Sequence, residues 1–342
     1  MSWKRIECWA WTLGGAGSIG SIIGWIVTPP AFPHAWLSAV VCWAGWPLGS
    51  LALLLIHALT GGRWGWTIRA PLIAGLATLP LVVPFVIPLL FMLSALYPWL
   101  RPDIGPQLAS GFYLNLSFFC LRGTIYLALW LGLAVLVLAA LRRDAPQIVL
   151  YHLAPTGLIV LAITVTFAAI DATMSLDPAF KSSAFGMIAG SGAVLFALSI
   201  ALLMVSGAAM FGEASTEDLG KLTLGLVILW TYLDFMQMLI VWQSNLPDEA
   251  HWYLPRISGG WLAVALLVAL LHFVLPFFLL IWPQVQRSAR SLLVIAVMLV
   301  LAQILRTWWI VLPEAHRGFG LLDALTMIAT LGLGTGLAQR AP

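Results

Sequence analysis

The sequence predicts an all-α, polytopic membrane protein of about ten transmembrane helices. Three observations carry that expectation. The first is the scarcity of charge: 62% of the 342 residues are hydrophobic and only 8% are charged, as 16 Lys+Arg and 13 Asp+Glu. An average soluble chain carries about 25% charged residues, so this one cannot cover a water-facing surface. The second is that the apolar runs are long and continuous, which excludes the alternating strands of a membrane barrel. The third is that the runs are separated by short segments rich in turn residues and charge. Disorder is excluded by the apolar content. The net charge of +3 is scattered, leaving no basic stripe to track a nucleic acid.

Ten segments fall at 9–27, 35–59, 70–94, 115–141, 150–171, 184–211, 222–243, 258–282, 291–312 and 321–338. Lys4 and Arg5 precede the first run as in a signal peptide. Glu7 interrupts it, no A-x-A site follows, and the run is long enough to span, so a retained first helix is expected. The third segment contains Pro71, Pro80, Pro84 and Pro88. Each proline removes a backbone donor, so this helix should be kinked and supported by its neighbours. The loop from Leu96 to Gln107 (LYPWLRPDIGPQ) is too rich in Pro and Gly for a helix and should form an ordered cap. A faint repeat relates SLALLLIHALTGG (Ser50–Gly62) to SIALLMVSGAAMFG (Ser199–Gly212). Both run in the same direction, so the repeats would be parallel. The expected organisation is a peripheral first helix (1–34), a four-helix bundle (35–171), a second four-helix bundle (172–312) and a peripheral last helix (313–342).

Lys4, Arg5, Arg63, Arg69, Arg142, Arg143, Lys221, Arg287, Arg290 and Arg340 fall on one side of these spans. Arg101, Lys181, Arg256 and Arg317 fall on the other. The positive-inside rule then puts both termini in the cytoplasm. Trp64, Trp66, Trp99, Trp242, Trp252, Trp308 and Trp309 lie at span ends, where interface belts favour indole rings. Cys8, Cys42 and Cys120 are far apart and form no CxxC pair, so no zinc or iron–sulfur site is expected.

Ionisable groups inside a membrane are costly, and each is a functional candidate. Arg122 in span four and Asp171 in span five have similar depth and can pair. That pair would fix packing or relay protons. Asp234 lies near the midplane in span seven, with Gln237 at i+3 on the same face. His272 in span eight has a similar depth and is followed by Pro276, which frees a carbonyl. Arg306 sits in the outer half of span nine. These four can line one polar track in the second bundle. It reads as a proton path, since burial and neighbours tune titratable groups, or as a static network holding three helices together. Asp323 stands at the mouth of span ten, where it should be wetted.

Among the six histidines only His57 and His152 share a depth, near the cytoplasmic ends of their spans, which fits interfacial roles better than a haem pair. No P-loop, GxSxG or HExxH motif is present, so soluble catalysis has no support. Any redox centres would have to sit in partner subunits.

Two outer loops carry motifs: MSLDPAFKSSAFG (Met174–Gly186) and WQSNLPDEAHWYLPRISGGW (Trp242–Trp261). In the first, Asp177-Pro178 before Ser182 and Ser183 reads as a turn into a capped helix. The second gathers Asp248, Glu249, His251, Trp252, Tyr253 and Arg256 on a cap that anchors the interface or docks a partner. With GGRWGWTIR before the Pro-rich third helix, these phrases resemble the NrfD/polysulfide-reductase-type membrane subunits. Within that family they resemble the F-type subunit of alternative complex III, and the likeness covers nearly the whole chain. The sequence departs from the pattern in its shorter length and in Phe180-Lys181, where a more aromatic pairing is expected. The resemblance implies ten helices in two four-helix bundles, within a quinol:cytochrome c (electron acceptor) oxidoreductase complex of the bacterial inner (cytoplasmic) membrane. It implies no cofactor bound by this chain. Quinol, iron–sulfur clusters and haem c would belong with partner subunits, alongside lipid and a terminal oxidase. Its F-type members are discussed as proton-translocation elements, which would fall here to Asp234, Gln237, His272, Arg306, Asp171 and Arg122. A quinol site near Asp171 and Arg122 is a further possibility. The competing classes are a secondary transporter, from the parallel repeats and the broken helix, and a purely structural scaffold.

Overall fold

A computed structural model describes residues 3–101, 111–143, 145–207, 213–244 and 247–340. Outside the described residues lie 102–107 of the expected far cap, 208–211 of the expected sixth span, and Asn245 and Leu246 of the second loop motif. The side chain of Asp248 lies outside them too. Among the described residues there are helices and no strands. Among the described residues ten helices are long and apolar enough to cross a membrane. They are Glu7–Val27, Phe32–Thr60, Arg63–Leu90, Leu116–Leu141, Pro146–Leu176, Phe185–Val205, Ser215–Ser244, Trp261–Leu280, Ala289–Ala315 and Leu321–Ala338. The protein is an all-α, multi-pass membrane protein, and these helices are called spans one to ten below.

An even number of spans returns the chain to the end where it began. Arg340 Nε lies 2.8 Å from Glu7 Oε1, tying the last span to the first at that shared end. It is called the terminal end, and the opposite one the far end.

Span two is the axis of the molecule. It packs against spans three, five, six and ten, and 21 of its residues, Phe32 to Leu55, are buried. Its approach to span six depends on Gly49: a Cβ there would stand 2.0 Å from the Ala193 carbonyl oxygen. Span one touches mainly span ten, through Gly14, Gly17 and Gly332, where backbones meet directly. Small residues permit such contact in lipid, where the hydrophobic effect no longer drives helices together.

Two spans are interrupted where proline removes donors. Span three runs as an α-helix over Arg63–Ala77, passes through a 3-10 turn at Leu79–Leu81, and resumes over Val82–Leu90. The indole N–H of Trp36 donates to the Phe85 carbonyl at 2.8 Å within the second half. Span eight widens into a π turn at Leu270–Val274, directly ahead of Pro276. Proline cannot donate to the carbonyl one turn back, and the wider turn shifts the hydrogen-bond register there.

The tryptophans at the span ends depart from a simple interface belt. Trp66 and Trp242 are exposed, whereas Trp99, Trp252 and Trp309 are buried. Asp323 is also fully buried, not wetted. Arg317 holds it at 2.7 and 2.6 Å, and its carboxylate accepts the Gly320 N–H at 2.8 Å, closing the first turn of span ten. A buried carboxylate is tolerated because both oxygens are matched.

Candidate functional site

The first charged pair joins spans four and five. Arg122 Nε donates to Asp171 Oδ2 at 2.9 Å and Nη2 donates to Oδ1 at 2.8 Å. Tyr126, one turn along span four, donates its hydroxyl to Oδ2 at 2.9 Å. Arg122 Nη1 donates to the Tyr113 carbonyl at 2.9 Å, and its guanidinium lies 3.8 Å from the Tyr113 ring centroid. Both charged residues are buried. The fork-to-fork geometry is the strongest available to these groups and leaves Asp171 saturated. Span four holds it in place.

The second pair joins spans seven and nine. Arg306 Nη2 donates to Asp234 Oδ1, so two residues of the expected polar track meet. Arg306 also lies 4.7 Å from the Trp309 ring and 5.7 Å from Trp230. Its Nε is buried without a partner, and so is Oε1 of Gln303, one turn away on span nine. This pair is therefore under-satisfied where the first is saturated.

The other two track residues take different partners. Gln237 is buried, and its Oε1 accepts the hydroxyl of Ser182 rather than bonding to Asp234. Ser182 thus ties the first outer loop to span seven instead of capping span six. Asp177 makes the turn, its Oδ1 accepting the Ala179 N–H at 3.0 Å. Tyr253 lies beside Gln237, which extends the polar group towards the far end. His272 is buried in the π turn, its ring edge-on to Trp230 at 3.7 Å between centroids, with Nδ1 unpartnered. A single aromatic layer, Trp230, separates His272 from Arg306.

Between the two pairs lies an apolar cavity of about 410 Å³. Span two supplies Val40 and Leu48, the second half of span three Val86 and Leu89, span four Phe119 and Trp130, and span six Ile188 and Gly192. Its polar lining includes Tyr126 and Asp171 beside the first pair, and Gln303, Arg306 and Thr307 of span nine. Gly192 leaves the space taken by Trp230 and Gln303, since a Cβ would lie 3.2 and 3.5 Å from them.

A third cluster centres on Arg256, which lies inside the cap of the second loop motif and is fully buried. It donates to the carbonyls of Trp252 and Ile310 at 2.6 Å each, and to Glu314 at 2.8 Å. Its guanidinium stacks 3.4 Å from the Trp252 ring, and Trp252 stacks on Phe180 at 4.4 Å. Burial is the main influence on Arg256 and lowers its pKa to about 10, against the opposing pull of Glu314. The two loop motifs and the end of span nine are thereby locked into one lid. Its partner Glu314 lies 58 positions away, so only the isolation of Arg256 among aromatic, Pro and Gly residues hinted at this role.

The fold and site define a multi-pass helical membrane protein with two intramembrane ion pairs facing one apolar cavity. No protein-family model and no curated protein matches the chain.

Proposed function

We propose that this chain is a membrane subunit of a quinol:cytochrome c (electron acceptor) oxidoreductase complex, bearing no redox group of its own. It would contribute a proton path and a scaffold for iron–sulfur and haem c subunits. On this reading it resides in the bacterial cytoplasmic membrane with both termini in the cytoplasm, as the distribution of Lys and Arg favours.

The observation that carries the reading is the cavity with Arg306 on one wall and Asp171 on another. An apolar chamber with a few convergent polar groups suits a lipid-soluble ring bearing hydroxyls. The two pairs suit different tasks. Asp171 is held by three hydrogen bonds, two from Arg122 and one from Tyr126. Asp234 accepts from Arg306 through one oxygen, so a proton arriving there would release the guanidinium. Arg306 then has an acceptor one turn away in the unpartnered Oε1 of Gln303. Protonation thus couples to movement of a charge beside the cavity.

The test is Asp234→Asn in the assembled complex. Slower proton-coupled turnover with intact assembly is expected. Loss of assembly with unchanged coupling per remaining complex would make the pair purely structural. A secondary-transport reading draws on the broken third span beside the cavity, although no charge lies in its second half. Solute movement by the lone chain in liposomes would favour it.

A further inference from the structure

The motif GGRWGWTIR is not used by the cavity or by either ion pair, and its folded arrangement is specific. Gly61 and Gly62, at φ of +66° and +99°, reverse the chain between spans two and three at the terminal end. The left-handed conformation favours glycine at both positions. Gly65 then lets the ring of His57 lie against the start of span three, since a Cβ there would stand 2.0 Å from the imidazole. His57 Nε2 is 3.1 Å from the Gly62 carbonyl oxygen. Trp64 and Trp66 stand edge-on to the imidazole, with centroids at 5.2 and 5.4 Å. Trp66 is 51% exposed, and the Arg69 guanidinium sits 4.6 Å from its ring.

Arg69 is six residues into span three, about 9 Å along the helix axis. Its side chain folds back over Trp66, towards the helix start, as a snorkelling cation does when its stem lies among acyl chains. Arg63, by contrast, reaches Asp218, and Lys221 reaches Glu217. Among the described residues Arg69 has no carboxylate partner. An unpaired guanidinium held on an exposed indole, at the depth where headgroup meets acyl chain, is complementary to one class of molecule.

We propose that Trp66 and Arg69, braced by His57 and Trp64, form a binding site for the headgroup of an anionic phospholipid. The guanidinium would take the phosphate, and the exposed indole would pack against the glycerol and upper acyl chain. This site is independent of the quinol reading.

The experiment uses the full chain, purified in detergent and stripped of lipid. Phosphatidylglycerol, phosphatidylcholine or inorganic phosphate is added back, and bound molecules are counted by native mass spectrometry. Phosphatidylglycerol should be retained in preference to phosphatidylcholine, and phosphate should not displace it. Arg69→Gln should weaken retention by about fivefold or more, and Arg69→Lys should keep most of it. Arg142→Gln, which removes another arginine of the same end, should leave it unchanged. Equal binding of phosphatidylcholine, displacement by phosphate, or unchanged binding in Arg69→Gln would overturn the proposal. Should Arg69→Gln fail to fold, Trp66→Leu decides, because it removes only an exposed ring; unchanged retention there overturns the site as well.

Discussion

Arg122 and Asp171 face each other as a planar fork across spans four and five, at 2.9 and 2.8 Å, with Tyr126 filling a remaining lone pair. Removing one partner strands a buried charge, which costs about 3–5 kcal/mol. Arg122→Ala and Asp171→Ala should each lower the thermal unfolding midpoint sharply in detergent. The double variant Arg122→Met/Asp171→Leu should recover most of the loss, since neither charge remains. Additive losses in the double variant would contradict the pairing.

The contact between spans two and six rests on a missing side chain. Gly49→Ala would push a Cβ into the Ala193 carbonyl, 2.0 Å away, with rigid backbone on both sides. Overpacking of this kind costs about 1–3 kcal/mol or more. The yield of monodisperse protein should fall for Gly49→Ala and stay level for Gly123→Ala, where an added Cβ meets nothing within 4 Å.

Tyr253 lies in the lid outside the spans, and its pKa is pushed from 10.0 up to about 12. Burial is the main cause; Arg306 opposes the shift and Asp234 reinforces it. Below pH 10 the phenol is protonated whether the chain is folded or not, so it adds no pH dependence. Between about 10 and about 12 the folded state keeps a proton that the unfolded state has lost. Stability therefore falls as pH rises through that window. Unfolding midpoints of the wild type should drop more steeply there than those of Tyr253→Phe, measured side by side to subtract the other tyrosines.

Cys120 is exposed and lines the cavity, while Cys42 is buried. In a Cys8→Ser background a lipophilic maleimide should label Cys120 alone. A quinol analogue at ten times its dissociation constant should slow that labelling by about tenfold, since occupancy shields the wall. Unchanged labelling would place the analogue elsewhere.

The ten spans were legible because length and hydropathy decide them locally, and so was the proline-driven interruption of span three. Asp234 and Arg306 were expected only on one polar track and the fold joins them directly, whereas the pair Arg122–Asp171 was legible because a charge in lipid has so few permissible partners. The burial of Arg256 and Asp323 was not. Each sits in a loop or at a helix mouth, where sequence predicts water. What removes the water is a partner supplied by folding: Glu314 for Arg256, and an encircling Arg317 for Asp323. The partner of Gln237 was hidden for a related reason. Helical spacing puts it on the face of Asp234, while its bond to Ser182 depends on how the loop closes.

The 3-10 turn at Leu79–Leu81 has a mechanical consequence for the chamber beside it. Val82, Val86 and Leu89, beyond that turn, form one side of the cavity, and their helix is joined to the first half of the span without a continuous hydrogen-bond ladder. Proline-interrupted segments bend at the interruption. That side is therefore set at an angle by the bend at Thr78 and held there against span two by the bond from the Trp36 indole to the Phe85 carbonyl. The width of the chamber is then fixed by one bend in one helix as much as by the side chains that line it.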